Sequence, residues 1–173
     1  MSARFRFCPR CATPLADGDI DGRTRQYCPA CGFVHYRNPL PVAGCVVALD
    51  GGVVLIRRGG EPRRGYWALP AGYVECDETV EEAARRETRE ECGLDVELLG
   101  LLGVYSFVHP TEPRAGIGLY YLARRVGGRL APGDDAVEAR VFAPAEIPGE
   151  LAFSSHTAAI AAWHDAPHGL ILR

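Results

Sequence analysis

The chain has 173 residues, 47% apolar and 24% charged, with 19 Lys and Arg against 22 Asp and Glu for a net charge of −3. That composition suits one globular domain with a small appendage, and it contains no basic run of the kind general nucleic-acid binding requires. No apolar stretch reaches the roughly 18 residues of a membrane span, and the opening Met-Ser-Ala-Arg-Phe-Arg has no signal-peptide core, so a cytoplasmic protein is expected.

The first predicted element is a metal module. Cys8-Pro-Arg-Cys11 and Cys28-Pro-Ala-Cys31 are two C-x2-C knuckles separated by sixteen residues, the spacing of a zinc ribbon. The segment between them is polar and turn-rich (Asp17-Gly18, Asp21-Gly22), as expected of hairpin arms too small to build a core. Four thiolates favour zinc over rubredoxin-like iron or a redox dithiol, and they leave no open position for catalysis, so the metal is structural. His35 reads as a packing or hydrogen-bonding residue. Cys45, Cys76 and Cys92 are isolated and read as small buried or half-buried side chains.

Arg37-Asn38-Pro39-Leu40-Pro41 is a stiff extended linker, which places the boundary between a ribbon of residues 1–37 and a second domain of residues 38–173. Val42 to Leu49 predicts a strand, Asp50-Gly51-Gly52 a tight turn, and Val53 to Arg57 the returning strand. A charged, Gly-rich loop from Arg58 to Gly65 leads to Tyr66-Trp67-Ala68-Leu69-Pro70-Ala71-Gly72.

The following stretch is the most informative. Thr79 with Glu82 three residues on forms a capping box, and Gly93 is the natural left-handed stop, so a helix spans the residues between them. At about 100° per residue, Val80, Ala83, Ala84, Glu87, Glu90 and Glu91 share one sector. Glu87 and Glu91 are a like-charge i,i+4 pair costing roughly 0.2–0.5 kcal/mol. Burial beside alanines adds several kcal/mol per uncompensated charge. The carboxylates therefore call for a positive partner, and a hard divalent cation, Mg²⁺ or Mn²⁺, suits three oxygen donors better than any basic side chain of the stretch. Arg86 lies on the flank of the sector, within reach of Glu78.

Beyond the helix, Val96 to Val108 and Gly116 to Val126 alternate as strands joined by the loop His109 to Ala115. Ala136 to Phe142 is a further strand, Pro144 to Ile147 a short turn and Ser154 to Asp165 a closing helix. Strands on both sides of one helix, with a second at the end, predict an α+β protein, an α/β/α sandwich with a mixed sheet.

Gly72, Glu78, Arg86, Glu87, Glu90, Glu91, Gly93 and Leu94 fall without a gap on the pattern G-x5-E-x7-R-E-U-x-E-E-x-G-U, U being apolar, with Thr88 as the one departure. This stretch resembles a Nudix box. The resemblance implies a Nudix α/β/α sandwich preceded by a Cys₄ zinc ribbon, and hydrolysis of a nucleoside diphosphate linked to another moiety. It implies Glu87, Glu90 and Glu91 as ligands of Mg²⁺ or Mn²⁺, joined by the Gly72 carbonyl, with Glu91 or Glu90 accepting or orienting the water's proton and Arg86 and Glu78 supporting them. Glu138 is similar to a distal glutamate of related pyrophosphatases, with a solvent-facing strand residue as the equal alternative.

A ribbon fused to such a domain resembles NADH pyrophosphatases and a sister group acting on ADP-ribose or FAD. The former carry an S-Q-P-W segment after the box, which Gly103 to Pro110 lacks, so ADP-ribose-like or FAD-like dinucleotides are expected, with NADH or NAD, including an NAD cap on RNA, as the alternative. Tyr105, Phe107 and His109 are candidates to stack on or bond to an adenine, or else plain core. A non-catalytic nucleotide sensor is the competing class, disfavoured because all four box glutamates are intact. A homodimer is expected from the resemblance alone.

Overall fold

The computed structural model describes residues 5–108 and 115–165. Its first sheet is small, with β1 (Ala16–Ile20), β2 (Arg23–Tyr27) and β3 (Val34–His35) antiparallel in that order. The two knuckles bring their four sulfur atoms within 4.8 Å of one another, with Cys8 Sγ 3.6 Å from Cys31 Sγ and Cys11 Sγ 3.5 Å from Cys28 Sγ. A tetrahedron with metal–sulfur bonds of about 2.3 Å has edges of about 3.8 Å, so the donor set fits zinc. His35 stacks at 4.5 Å on Phe5 and hydrogen-bonds Gln26, outside the sulfur cluster.

The second sheet contains β4 (Leu40–Leu49), β5 (Gly52–Arg58), β6 (Trp67–Ala68), β7 (Ala71–Tyr73), β8 (Leu94–Val108), β9 (Ala115–Gly128) and β10 (Ala136–Phe142). Its main path runs β10-β5-β4-β9-β8, with β6 paired to β5 and β7 to β4. β4 and β9 are parallel over Leu40 to Ala48, and the other pairs are antiparallel. The sheet is therefore mixed. The short strands β6 and β7 are new relative to the sequence reading, which treated their residues only as an approach to the helix.

Two helices, α1 (Val80–Cys92) and α2 (Ser154–Asp165), cover the sheet's two faces. Alternate side chains of each strand belong to different cores, as the period of two requires. Cys45, Val47, Val54, Ile56 and Ala123 pack with Ala83, Ala84 and Cys92 of α1, whereas Val46, Val53, Leu55 and Tyr120 pack with Ala159 and Ile160 of α2. Burial on both faces explains why Val42 to Leu49 reads as a continuous apolar run rather than an alternating one. Cys45 and Cys92 lie in the first core, and Cys76 is exposed. Among the described residues, no helix is long and apolar enough to cross a membrane.

Candidate active site

The helix that carries the site is fixed at both ends by its own sequence. Thr79 Oγ1 accepts the Glu82 amide at 3.2 Å, while the Glu82 carboxylate accepts the Thr79 amide at 2.8 Å. At the other end Gly93 has φ 71° and donates its N–H to the Arg89 carbonyl at 2.9 Å. Thr88 fits its apolar position because its hydroxyl bonds back to the Ala84 carbonyl at 2.7 Å and is wholly buried.

Within this frame the three glutamates have different surroundings. Glu91 is 5% exposed, and its Oε2 accepts the Ala71 amide N–H at 2.9 Å. Burial pushes its carboxyl up to about 8, against the Ala71 hydrogen bond and with help from the charge of Glu87. Glu87 is also raised, by burial first, although Arg86 opposes this. Glu90 has its side chain 47% exposed and touches Arg86, and it is not among the residues that line the site's cavity.

Part of the positive charge these carboxylates require comes from Arg86, which does more than the flanking tie to Glu78 expected of it. Its guanidinium forks onto Glu78 at 2.9 and 2.6 Å, reaches Glu87 at 2.6 Å and Glu90 at 2.9 Å, and bonds the Tyr73 carbonyl at 3.0 Å. All five N–H donors of the side chain are thereby used. The Arg86 contact holds the Glu78 carboxyl down at about 2. Glu91 has no such partner among the described residues, and its anion is compensated chiefly by one backbone amide.

Gly72 faces Glu87 so closely that a Cβ there would fall inside the carboxylate. Buried acidic oxygens, one of them without a basic partner, beside a backbone cradle that admits no side chain form a donor set of the hard, oxygen-rich kind that suits a divalent cation. The resemblance implies Glu87, Glu90, Glu91 and the Gly72 carbonyl as its ligands, and of these residues Gly72, Glu87 and Glu91 line one cavity.

Glu87, Glu91 and Gly72 open on a cavity of about 450 Å³. Of the aromatic candidates, Phe107 lines it. Tyr105, two residues earlier on the same face of β8, does not: its ring packs 6.0 Å from Tyr120 and its hydroxyl bonds the Ala158 carbonyl, which places it further along the strand, under α2. His109 lies outside the described residues.

Glu138 carries two readings, a distal metal glutamate or a solvent-facing strand residue. It is 45% exposed on β10, paired with Arg57 at 3.7 Å across the strands, and is not among the residues that line the cavity. The distal carboxylates that do line it are Asp134 and Asp135. Their loop is stitched to α1 by backbone bonds, Ala131 N–H to the Cys92 carbonyl and Gly133 N–H to that of Glu91, while Gly59 N–H bonds the Asp135 carbonyl. Both aspartates raise a helix carboxyl, Asp134 that of Glu87 and Asp135 that of Glu91.

Arg58, Phe153, Ser155 and His156 also line the cavity and also escaped the sequence reading. Arg58 stacks over Phe153 at 5.3 Å and donates its Nε–H to the Pro62 carbonyl at 2.9 Å. In sequence these residues look like a turn, a loop charge and an ordinary helix cap. Ser154-Ser155-His156 at the opening of a helix was the one visible signal.

The layout is that of a hydrolase fold in which a carboxylate-bearing helix and an aromatic wall share one cavity. The chain belongs to the Nudix hydrolases: the family model described as the NUDIX domain matches residues 38–163, and the one described as Nudix N-terminal, the zinc ribbon, matches residues 6–37. Nudix enzymes act with divalent metals.

The ADP-ribose pyrophosphatase of Methanocaldococcus jannaschii is 42% identical over 119 residues, covering 68% of this chain and 69% of that protein. The NAD-capped RNA hydrolase NudC of Chromobacterium violaceum is 37% identical over 134 residues, covering 77% of this chain and 48% of the relative, so the chain spans about half the length of that protein. A NUDIX hydrolase from Nitrosomonas europaea of known crystal structure superposes with a TM-score of 0.83 at 31% identity, covering 96% of this chain and 95% of that one.

Proposed function

We propose that this protein is a metal-dependent pyrophosphohydrolase that cleaves a nucleoside diphosphate linked to another moiety, with ADP-ribose-like and FAD-like dinucleotides as the preferred class. The observation that carries this reading is the single cavity on which Glu87 and Glu91, Arg58, and the rings of Phe107 and Phe153 all open. Anionic and aromatic parts of one ligand thus have partners in the same cavity. The similarity to an archaeal ADP-ribose pyrophosphatase and the lack of an S-Q-P-W segment after the box both favour this class.

A bound Mg²⁺ or Mn²⁺ would neutralise charge developing on the pyrophosphate oxygens and acidify the attacking water. The chain's own contribution is positional. Arg86 and Glu78 hold Glu87 and Glu90 at their orientation, the Ala71 amide holds Glu91, and Gly72 lets the backbone approach. Of the two candidates for taking the water's proton, Glu91 is the one that is buried and fixed in place by the Ala71 amide. Residues 1–37 act as a separate zinc-stabilised module on the domain of residues 38–173. The enzyme is cytoplasmic and acts as a homodimer.

The second reading is hydrolysis of NADH or NAD, including an NAD cap on RNA, favoured by the similarity to NudC proteins. Hydrolysis of a panel containing ADP-ribose, FAD, NADH, NAD, NAD-capped RNA and nucleoside triphosphates, with Mg²⁺ or Mn²⁺, separates the two, with Glu91→Gln as the control. Turnover of one dinucleotide class, lost in the variant, is the expected result. Folded, zinc-loaded protein that binds nucleotides but turns over none of them would leave a non-catalytic sensor instead.

A further inference from the structure

His156 is the one histidine of the cavity wall among the described residues, and its setting is unusually determined. The ring is 4% exposed and held between two aromatic rings, Tyr120 at 5.3 Å and Phe153 at 5.1 Å, both edge-on. Its Nδ1 lies 3.0 Å from the Leu69 backbone nitrogen. A backbone N–H only donates, so Nδ1 is the acceptor and carries no proton. Burial, aided by the charge of Arg58, pushes the imidazole down to about 3, so the ring is neutral throughout the physiological range and its single proton sits on Nε2.

That Nε2–H has no hydrogen-bond partner among the described residues. The open space beside the ring is the cavity it lines. The same short segment positions the metal-type carboxylate, because the Ala71 amide holds Glu91. Leu69 and Ala71 are two residues apart, so their amides lie no more than about 7 Å from one another. The imidazole and the carboxylate are thus registered to one piece of backbone that contains Pro70, whose φ is fixed by its ring.

We infer that His156 is a specificity-determining residue of this site, its Nε2–H donating a hydrogen bond to an uncharged acceptor, a purine ring nitrogen or a ribose oxygen, on the nucleoside part of the substrate. The inference rests on the pyrophosphohydrolase reading above and adds to it the group that reads the nucleoside. A neutral donor between two aromatic rings suits an uncharged acceptor, while Arg58 on the same wall supplies the fixed positive charge that suits a phosphate.

The test uses the full zinc-loaded chain with Mg²⁺. Nitrogen-15 NMR of the imidazoles at pH 5–8 should show His156 protonated on Nε2 alone, and AMP should shift that resonance where inorganic phosphate does not. Calorimetry then compares AMP with 3-deaza-AMP, 7-deaza-AMP and 2′-deoxy-AMP. One of the three should bind about three- to tenfold more weakly, the loss of one neutral hydrogen bond, and that analogue identifies the acceptor. His156→Phe should weaken AMP by the same factor and bind AMP and that analogue equally, while His156→Gln, which keeps an acceptor for Leu69 and a donor for the ligand, should retain most of the discrimination. If His156→Phe fails to fold, the NMR and analogue series on the wild-type protein still decide.

A proton on Nδ1, a resonance indifferent to AMP at saturation or shifted equally by phosphate, or equal affinity for all four nucleotides would overturn the inference. A wild-type protein that hydrolyses none of the dinucleotides and binds no AMP would instead overturn the pyrophosphohydrolase reading on which it rests.

Discussion

Replacing Arg86 tests whether its five-donor fork organises the carboxylates or merely neutralises them. Arg86→Ala leaves Glu78, 14% exposed, and Glu87, 12% exposed, without their cation. Breaking a fully buried pair costs about 3–5 kcal/mol. The Arg86 side chain is itself 31% exposed, so solvent screens part of that, and the half-exposed contact to Glu90 adds little. The expected loss without added Mg²⁺ is about 2–4 kcal/mol. Arg86→Lys keeps the charge but has three donors and no planar fork for Glu78, so it should recover only about half of that. Urea unfolding at pH 7, followed by the fluorescence of Trp67 and Trp163, which both lie outside the ribbon, measures the difference. Saturating Mg²⁺ should restore part of the alanine variant's loss, because a bound cation takes over as counter-charge. A lysine variant within about 0.5 kcal/mol of wild type would refute the fork argument, since that is the scatter of ordinary surface changes.

Gly72→Ala places a methyl carbon inside the Glu87 carboxylate, which must move. A displacement of about 1 Å lowers kcat by about 100-fold while circular dichroism still reports a folded chain; kcat within threefold of wild type would contradict the cradle. The Glu91 carboxyl is raised in the folded protein to about 8 from an ordinary 4.5, so its contribution to stability is complete below pH 4.5 and is lost as pH rises through about 8. In Mg²⁺-free buffer, Glu91→Gln should therefore flatten the fall in stability across that window and be the more stable protein at its upper end, measured by urea midpoints at several pH values. Glu138→Ala should leave kcat unchanged and cost under about 1 kcal/mol, as exposed pairs do, whereas Asp134→Asn and Asp135→Asn should lower activity; the opposite pattern in steady-state kinetics would return the distal role to Glu138.

The sequence alone determined whatever depends on neighbours along the chain. Thr79, Glu82 and Gly93 delimit α1 because capping and left-handed termination are local chemistry, and the order Val80, Ala83, Ala84, Glu87, Glu91 already implies a half-apolar, half-acidic face. The two cysteine knuckles carry their own spacing, and the apolar run from Val42 to Leu49 announces a strand. The tertiary structure decided which groups meet across the chain. The Leu69 amide holds His156 over a separation of 87 residues, and Asp134 and Asp135 reach the cavity because their loop bonds to the last turn of α1. Neither leaves a periodic or compositional trace. Register set Glu138 opposite Arg57, and the position of α2 decided that Tyr105 packs beneath the helix while Phe107, on the same strand face, reaches the cavity. Glu87, Glu90 and Glu91 look alike in sequence, yet burial and the reach of Arg86 give them three different environments, because charge compensation is set by what folds against a helix and not by the helix itself.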